Sequence, residues 1–390
     1  MKIIMLSPST ENSLTCSSCR RLMPFPVGKI ENAPAILGCS QNAILEENKF
    51  LNFQIYVCPF CGLIQTDTRL DNQSYEIVHS HAVGGVWAEH ANKLAEFISI
   101  CLGSSLRKLE TALEIGPSVN PILKTLTQVI PCIQYIDLMN EAPFKLTPNE
   151  HYEKLPFPST LLLDKYDLIV ASHVLEHAES IYGFMEAIKR HLSVNGIAIL
   201  SIPNFHEWIT KKYWNAITSE HLGYPFAEHL QDLCSRLGLD VEFAYFKLHS
   251  IFMRVSLSSK DKCSSDLHQD HVANNTVQMI EDWIEEINKK IIQYEEAISD
   301  VSQEVILAGA SHLSQYVVLI SERVRSRVKV VVDNATDKHG KRLYGTELIV
   351  YPFDIVKKYK SPLVIIPPSP YAGEMIEQVL TLNASSQIIS

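Results

Sequence analysis

The chain has 390 residues, of which 46% are hydrophobic, and it carries a formal net charge of −10 at pH 7. That length and apolar content give two or three domains a buried core each, which excludes a disordered chain. A negative chain sets up no cationic field that would attract a phosphate backbone, so we expect no nucleic-acid partner.

The sequence also argues against a membrane-spanning or a secreted protein. No stretch of the sequence approaches the roughly 20 apolar residues that a bilayer span needs. Residues 1–6 are largely apolar, but a polar run follows them at once. The apolar run is therefore too short for the hydrophobic region of a secretory signal. We therefore expect a cytoplasmic protein without a membrane partner.

Two C-x-x-C pairs stand out among the nine cysteines: Cys16 with Cys19, and Cys58 with Cys61. Two thiolates separated by two residues reach one Zn²⁺ from a tight turn, and a second pair completes a tetrahedral structural site. A redox-active pair is the alternative, but two pairs in one segment favour zinc. We therefore predict a zinc-binding domain over residues 1–90.

The middle of the chain, residues 91–257, alternates apolar runs with helical patterns, which predicts a sheet built from βαβ units. A helix is predicted over residues 181–192, and a late hairpin begins at Gly238. The predicted strands cover residues 111–115, 133–138, 168–172 and 197–202.

A cofactor loop is predicted where the first of these strands ends, at Glu114, Gly116 and Ser118. Glycine at such a turn lets the backbone approach a ligand at the carboxyl edge of a sheet. Asp137 ends the next strand, just before Leu138, where a carboxylate accepts hydrogen bonds from both hydroxyls of a ribose. The pattern predicts an adenosine-containing cofactor, although a plain strand–loop–helix is the alternative. NAD would require three glycines, so a loop with one glycine favours S-adenosylmethionine (SAM).

Three later segments together resemble class I SAM methyltransferases: residues 155–158, 165–177 and 192–204. In that family the fourth strand delivers a loop beside the sulfonium, and the loop maps onto Ala171, Ser172 and His173. The resemblance implies a Rossmann-like α/β domain that binds SAM at these positions. Glu176 and His177 are interpreted as residues that start the following helix.

Glu220 and His221 are a further candidate pair. A neighbouring carboxylate and imidazole suggest a general base near neutral pH, with the carboxylate orienting the imidazole or assisting deprotonation. The chain has 15 histidines, so one such pair is commonplace and composition alone does not assign it a role.

The last third of the chain begins with residues 258–302, a predicted linker and connecting helix. Its apolar stripe is typical of a packing helix, with an intermolecular coiled coil as the alternative; the stripe is Ile280, Ile284, Ile287, Ile291, Tyr294 and Ile298. Residues 303–390 alternate again and predict a smaller Rossmann-like α/β domain. Its predicted strands are residues 304–308, 328–332, 347–350 and 363–366.

The order of these pieces resembles the sugar C-methyltransferases that act on nucleotide-linked 3-keto-deoxysugars. That family combines an N-terminal four-cysteine zinc domain, a SAM domain and a C-terminal Rossmann-like domain, so the resemblance covers nearly the whole chain. Besides the cysteine pairs, it is carried by residues 57–65, 113–123, 220–222, 249–254, 309–310, 332–333, 337–340 and 344–346.

The resemblance implies a reaction. A base removes the proton from the carbon next to the ketone, and the resulting enolate attacks the methyl group of SAM. On matching positions His221 is the base and Glu220 is its partner. The implied substrate contacts are Tyr75, His79, Tyr224 and His249.

The sequence departs from that family at two places near the implied base. Thr218 and Ser219 stand where the family has Tyr-His, and His249 is followed by Ser250 instead of glycine. Two other functions therefore stay open, which are O- or N-methylation of another small metabolite and SAM binding without turnover. The sequence does not specify the sugar, its nucleotide, or whether the protein is a monomer or a dimer.

Overall fold

The computed structural model describes most of the chain: residues 1–6, 14–23, 25–40, 48–68, 85–162, 164–259, 270–299, 302–369 and 371–390. Tyr75 and His79, two of the implied substrate contacts, lie outside the described residues. Within these ranges the strands form three main sheets, one in each third of the chain.

The first block contributes seven strands: β1 Lys2–Met5, β2 Leu14–Thr15, β3 Leu22–Met23, β4 Pro26–Pro34, β5 Cys39–Ser40, β6 Phe50–Val57 and β7 Ile64–Thr66. An antiparallel sheet is formed by β1, β4, β6 and β7 in that order. The hairpin β2–β3 encloses Cys16 and Cys19. The apolar run at residues 53–57 forms the second half of β6.

The middle block holds eight strands: β8 Thr111–Ile115, β9 Cys132–Asp137, β10 Glu150–Lys154, β11 Tyr166–Ser172, β12 Leu192–Pro203, β13 Gly223–Tyr224, β14 Leu239–Phe246 and β15 Ser250–Leu257. Its α-helices are α1 Gly85–Leu102, α2 Ile181–His191, α3 Phe205–Thr210 and α4 Ala227–Leu237. Short 3-10 helices lie at Gly103–Lys108, Ile122–Leu126, Leu175–His177 and Trp214–Ala216.

Seven of these strands form one sheet in the order β10, β9, β8, β11, β12, β15, β14. The first five are parallel, and β15 runs antiparallel to both of its neighbours. The remaining strand, β13, is not part of this sheet and pairs with β7 of the first block. The middle block is therefore joined to the first through main-chain hydrogen bonds.

Both faces of this sheet are covered, as the apolar runs in its parallel strands require. Helices α2 and α4 cover one face, and α1 with the 3-10 helix Ile122–Leu126 covers the other. The predicted strands, the helix from residue 181 and the late hairpin are confirmed, with ends that differ by a few residues.

The chain does not continue into a long helix after Gly116. The chain forms only the short 3-10 helix Ile122–Leu126, and Pro121 before it is extended, with φ −63° and ψ 132°. Proline disfavours helical geometry in the residue that precedes it, and both Pro117 and Pro121 lie in this segment. A long helix therefore cannot begin at the loop.

The third block begins with the helix α5 Asp270–Ser299. Its other α-helices are α6 His312–Ile320, α7 Glu322–Arg327 and α8 Ala372–Leu382. Its strands are β16 Val305–Ala308, β17 Val328–Val332, β18 Arg342–Leu343, β19 Val350–Tyr351, β20 Leu363–Ile365 and β21 Gln387–Ile389. Its 3-10 helices are Thr336–Lys338 and Phe353–Lys358. A parallel sheet has the order β19, β17, β16, β20, β21. The strand predicted at residues 347–350 is wrong except at its end, because the Thr346 hydroxyl and main-chain bonds between Leu343 and Leu348 hold a turn there.

The apolar stripe of α5 is buried along its whole length, in a core shared by the first and third sheets. The predicted packing helix is therefore confirmed. No α-helix in the described ranges combines the length and the apolar character needed to cross a membrane.

The first and third blocks are also tied by a buried glutamine. The side-chain nitrogen of Gln315 donates to the carbonyl oxygens of Ile36 at 2.9 Å and Tyr344 at 2.8 Å, and its oxygen accepts from the Gly38 N–H at 3.0 Å. One apolar core runs through parts of all three blocks. The domain boundaries at residues 90, 257 and 302 stay predictions.

Candidate active site and metal centre

The four predicted zinc ligands come together. The sulfur atoms of Cys16 and Cys61 are 3.6 Å apart, those of Cys19 and Cys58 are 3.5 Å apart, and all four lie within 4.8 Å of one another. Sulfurs at the corners of a tetrahedron with Zn–S bonds near 2.3 Å are about 3.8 Å apart. The arrangement therefore fits a tetrahedral ion bound by four thiolates.

Both cysteine pairs adopt the same knuckle geometry. The residue after each pair, Arg20 or Gly62, has positive φ, at 64° and 75°. Its N–H donates to the carbonyl of the first cysteine in the pair, at 2.9 Å in both cases. Glycine adopts this conformation without strain, so Gly62 is suited to its turn, whereas Arg20 adopts it at some cost.

The first knuckle is fixed against the middle block. The N–H of Ser17 donates to the side-chain oxygen of Gln65 on β7 at 2.6 Å. The carbonyl of Ser17 accepts from the N–H of Tyr182, in the first turn of α2, at 2.8 Å. The cysteine cluster therefore positions β7 and α2 relative to each other.

The loop after β8 forms the floor of the predicted cofactor site. Gly116 has φ 64°, and its N–H donates to the carbonyl of Ile136 at 2.8 Å. A Cβ atom at Gly116 would lie 2.8 Å from Cγ2 of Val174, which is too close. Glycine is therefore required here both by the backbone conformation and by the packing of Val174 across the loop.

Asp137 lies beside this loop at the end of β9. One carboxylate oxygen accepts from the N–H of Ser118 at 3.2 Å, and the other accepts from the N–H groups of Leu138 at 2.6 Å and Met139 at 3.4 Å. Burial raises the pKa of Asp137. The side chain of Leu138 is 40% exposed beside the edge of the sheet.

Glu114 is placed differently from the other cofactor candidates. It is buried, and its two oxygens accept from the N–H groups of Ile122 at 2.7 Å and Leu123 at 2.9 Å. Burial raises its pKa to about 7, against the lowering effect of these two hydrogen bonds. Glu114 caps the short 3-10 helix and thereby shapes the loop.

The end of β11 supplies the remaining cofactor candidates. Ala171 is buried, and the hydroxyl of Ser172 lies 3.1 Å from the hydroxyl of Ser201. His173 has φ 55°, and its Nε2 lies 2.8 Å from the hydroxyl of Ser250. The same hydroxyl lies 2.6 Å from Nδ1 of His249, so one serine holds both imidazoles.

Two residues of α1 join this group and were missed by the sequence analysis. The ring of Trp87 lies 4.9 Å from that of His173 and 5.0 Å from that of His249, and the ring of His90 lies 5.0 Å from that of His173. Burial lowers the pKa of His90 to about 2 and those of His173 and His249 to about 3. The only sequence signal was an aromatic residue and a histidine three apart on one helix face.

The buried His90 predicts acid sensitivity. Its folded pKa lies below the unfolded value of about 6.5, so its contribution to stability is present above pH 6.5 and is lost as the pH falls towards 2. The titratable groups that face it are His173 and His249. His90→Phe should reduce the loss of unfolding free energy between pH 8 and pH 5 by about 2 kcal/mol, measured by urea unfolding at both pH values.

The control for this experiment is His151→Phe, because His151 is exposed on β10. That variant should lose as much stability as the wild type between the two pH values. Equal pH dependence of His90→Phe and the wild type would show that His90 is not a buried neutral imidazole.

The predicted base pair lies on the loop before β13. The hydroxyl of Thr66, on β7, donates to the carbonyl of His221 at 2.6 Å, and Nε2 of His221 lies 3.9 Å from a carboxylate oxygen of Glu220. Burial raises the pKa of Glu220 to about 7, with a further contribution from the charge of Glu176. The structure thus brings the pair together, but at a separation longer than a hydrogen bond.

Tyr224, an implied substrate contact, is fully buried. Its hydroxyl donates to the carbonyls of Thr218 at 3.0 Å and His221 at 3.2 Å, and accepts from the Thr218 N–H at 3.1 Å. The hydroxyl of Ser219, which lies at the first departure from the family, donates to the carbonyl of Pro34 at 2.7 Å. These side chains hold the shape of the loop that carries His221.

The interpretation of Glu176 and His177 as mere helix-starting residues is wrong. They lie in the 3-10 helix Leu175–His177, and the ring of His177 is 4.9 Å from the ring of His221. The carbonyl of Glu176 accepts from the N–H of Leu222 at 2.9 Å, which draws the two segments together. Both residues belong to the candidate site.

These features define the class of protein. A seven-stranded sheet with five parallel strands, a reversed β15 beside them and a glycine loop after β8 is the class I SAM methyltransferase fold. Residues 86–242 match the sequence profile of a family described as Methyltransferase domain. The middle block of the chain therefore contains a methyltransferase domain with the class I SAM-dependent fold.

Solved methyltransferase structures are similar to parts of the chain. A SAM-dependent methyltransferase from Clostridium acetobutylicum is 11% identical, with a TM-score of 0.35, over 43% of this chain and 92% of its own. For the N-methyltransferase NodS from Bradyrhizobium japonicum the identity is 15% and the TM-score 0.34, over 43% of this chain and 86% of its own. The magnesium protoporphyrin IX methyltransferase from Synechocystis is 13% identical, with a TM-score of 0.35, over 49% of this chain and 90% of its own. No curated protein matches the sequence.

Proposed function

We propose that this protein transfers a methyl group from SAM to a carbon of a nucleotide-linked keto-deoxysugar. One observation carries the proposal: the loop of Glu220 and His221 is held against the end of β11, through the bond from the Leu222 N–H to the Glu176 carbonyl at 2.9 Å. A candidate base thus lies at the same sheet edge as the glycine loop. The family resemblance supplies the substrate class.

The residues at this edge fit SAM. The ligand has no phosphate, so one glycine, Gly116, is enough to admit it. The carboxylate oxygen of Asp137 that accepts from the Ser118 N–H has a second lone pair, so it can accept a ribose hydroxyl while keeping that main-chain bond. Ser118, Leu138 and the loop at residues 171–173 would line the rest of the site. SAM supplies an electrophilic methyl group on its sulfonium when bound.

The Glu220–His221 pair supplies the base in this proposal. It takes the proton from the carbon next to the ketone, and the electron pair of that C–H bond forms the new bond to the methyl carbon. The methyl–sulfur bond breaks, so S-adenosylhomocysteine leaves and the proton stays on the pair. His249, which lies beside His173 and Trp87, is the proposed contact to the sugar.

We further propose that Cys16, Cys19, Cys58 and Cys61 bind a structural Zn²⁺. Four thiolates leave no coordination position for water, so the ion stabilises the fold instead of catalysing the reaction. The bonds from Ser17 to β7 and α2 then transmit the rigidity of this centre to the loop that carries His221.

The test is a product assay. Purified protein is incubated with SAM and a panel of nucleotide-linked 3-keto-deoxysugars, and the products are analysed by NMR. A new methyl group on the carbon beside the ketone is the expected result. A methyl group on oxygen or nitrogen would instead establish heteroatom methylation, and tight SAM binding without any methylated product would establish a binding protein.

Asp137→Ala tests the cofactor site. Loss of a charged acceptor for the ribose hydroxyls should weaken SAM binding by about 10–100-fold, because a hydrogen bond to a charged group contributes about 1.5–3 kcal/mol. Isothermal titration calorimetry with SAM measures this directly. Glu141→Ala is the control, since Glu141 is exposed beyond β9 and its variant should bind SAM as the wild type does. If Asp137→Ala binds SAM as tightly as the wild type, Asp137 does not bind the ribose hydroxyls.

A further inference from the structure

Glu176, His177 and His221 form a second cluster of metal-ligating groups, separate from the four cysteines. A carboxylate oxygen of Glu176 and one ring nitrogen from each histidine all lie within 4.8 Å of one another. Ligands bonded at about 2.0–2.2 Å to one ion require this kind of spacing. We propose that these three residues bind a divalent transition-metal ion and leave a coordination position open.

The carboxylate of Glu176 is the strongest argument. The residue is fully buried, and neither of its oxygens has a hydrogen-bond partner in the part of the chain that the structure describes. Nδ1 of His173 lies 3.3 Å from one of these oxygens but does not form a hydrogen bond to it. Buried carboxylates without partners are costly and rare. A bound cation would satisfy this one.

The orientation of His177 is the second argument. Its Nδ1 lies 2.9 Å from the carbonyl oxygen of Glu220, so the proton belongs on Nδ1 and the lone pair on Nε2. Metal-bound histidines usually donate their other ring N–H to such an acceptor, which fixes the ring and raises its basicity. The ring of His177 is thus prepared as a ligand through Nε2.

His221 and Glu220 complete the surroundings. The backbone of His221 is held by the hydroxyls of Thr66 and Tyr224, which donate to its carbonyl at 2.6 and 3.2 Å. Glu220 places a second carboxylate oxygen 3.9 Å from Nε2 of His221. Two carboxylates and two imidazoles favour a divalent ion, and this nitrogen and oxygen donor set is chemically distinct from the four sulfurs.

The use of this site rests on the proposed function, whereas ion binding itself does not. The open position would hold the ketone oxygen of the sugar and stabilise the negative charge that develops there on deprotonation. His221 is then a ligand, and Glu220 is the member of the pair that accepts the proton. The proton balance of the proposed reaction is unchanged.

The visible absorption spectrum of bound Co²⁺ distinguishes the two proposed metal sites. Full-length protein with its cysteine site filled by zinc is titrated with Co²⁺ in the absence of SAM and sugar. We expect one further equivalent to bind with weak visible bands typical of nitrogen and oxygen ligands, and without the intense sulfur-to-cobalt absorption that the cysteine site would give. Elemental analysis should then find two ions per chain.

Glu176→Gln should weaken binding of the second ion by more than about 100-fold while the cysteine-bound zinc is retained. His177→Phe, which keeps a ring but removes the ligand, should do the same, so a folding defect in one variant does not decide the question. Glu179→Gln is the matched control, because Glu179 is an exposed glutamate three residues further along the chain.

The outcomes are distinct. A zinc-filled wild type that binds no further Co²⁺ up to about 1 mM, which corresponds to a binding free energy weaker than about −4 kcal/mol, overturns the site. Binding that survives in both Glu176→Gln and His177→Phe also overturns it. A protein that binds the second ion but never methylates a keto-sugar would contradict the proposed function and would still support the metal site.

Discussion

Cys58→Ser is expected to remove the zinc proposed at the four cysteines, unfold the first block and abolish methyl transfer together. Cys16 and Cys58 are buried in the same apolar core as the helices α2 and α4 of the catalytic domain. Structural zinc contributes about 10–16 kcal/mol in small zinc-binding peptides, which is comparable to the whole stability of a typical domain. Loss of one ligand should therefore disorder both the knuckles and the strand β7 that follows them.

Three measurements on the same sample check this expectation. Elemental analysis should show the loss of one zinc per chain, thermal unfolding should begin at a lower temperature, and the product assay should show no turnover. Cys132→Ser is the control, because Cys132 is exposed on β9 and far in sequence from both pairs. A Cys58→Ser protein that keeps its zinc and its melting temperature would show that the four sulfurs do not share an ion.

Features with a local cause could be predicted from the sequence. The parallel strands β8, β9, β11 and β12 are buried on both faces and therefore appear as continuous apolar runs. Each cysteine pair is a short-range pattern, and its knuckle turn brings two sulfurs together without help from the rest of the chain. The sequence was enough to identify both features.

The cluster around Glu176 could not be predicted in this way. Its members come from the segment after β11 and the loop before β13, and they meet because β13 pairs with β7 of another block. That pairing involves only two residues, Gly223 and Tyr224, which is too short to leave an alternating pattern. The sequence context of Glu176 and His177 is equally compatible with an ordinary helix start.

The position of the loop after β8 was predicted, but its shape was not. Glu114 was expected to contact the cofactor, and in the structure both of its oxygens bind the main chain of the following 3-10 helix. Pro121 explains why that helix does not begin closer to Gly116, since proline disfavours helical geometry in the residue before it. His90 and Trp87 were missed because they reach the site only through the packing of α1 against β15.

Glu220→Gln should lower kcat by about 10²–10⁴-fold, the range typical for loss of a general base. Glutamine has nearly the same shape as glutamate, so the loop and the SAM site should be preserved. The carboxylate lies 3.9 Å from Nε2 of His221, close enough to act with it on one substrate proton. Steady-state kinetics with a keto-sugar and SAM would measure the effect.

Proton exchange separates the base from the methyl transfer. In D2O without SAM, the wild type should exchange the hydrogen on the carbon beside the ketone, and Glu220→Gln should not, because the carbon–hydrogen bond can no longer be broken. Glu228→Gln, at an exposed position on α4, should exchange like the wild type. Exchange at the wild-type rate in Glu220→Gln, combined with slow methylation, would instead mean that Glu220 orients the substrate and that another group, with His221 the first candidate, takes the proton.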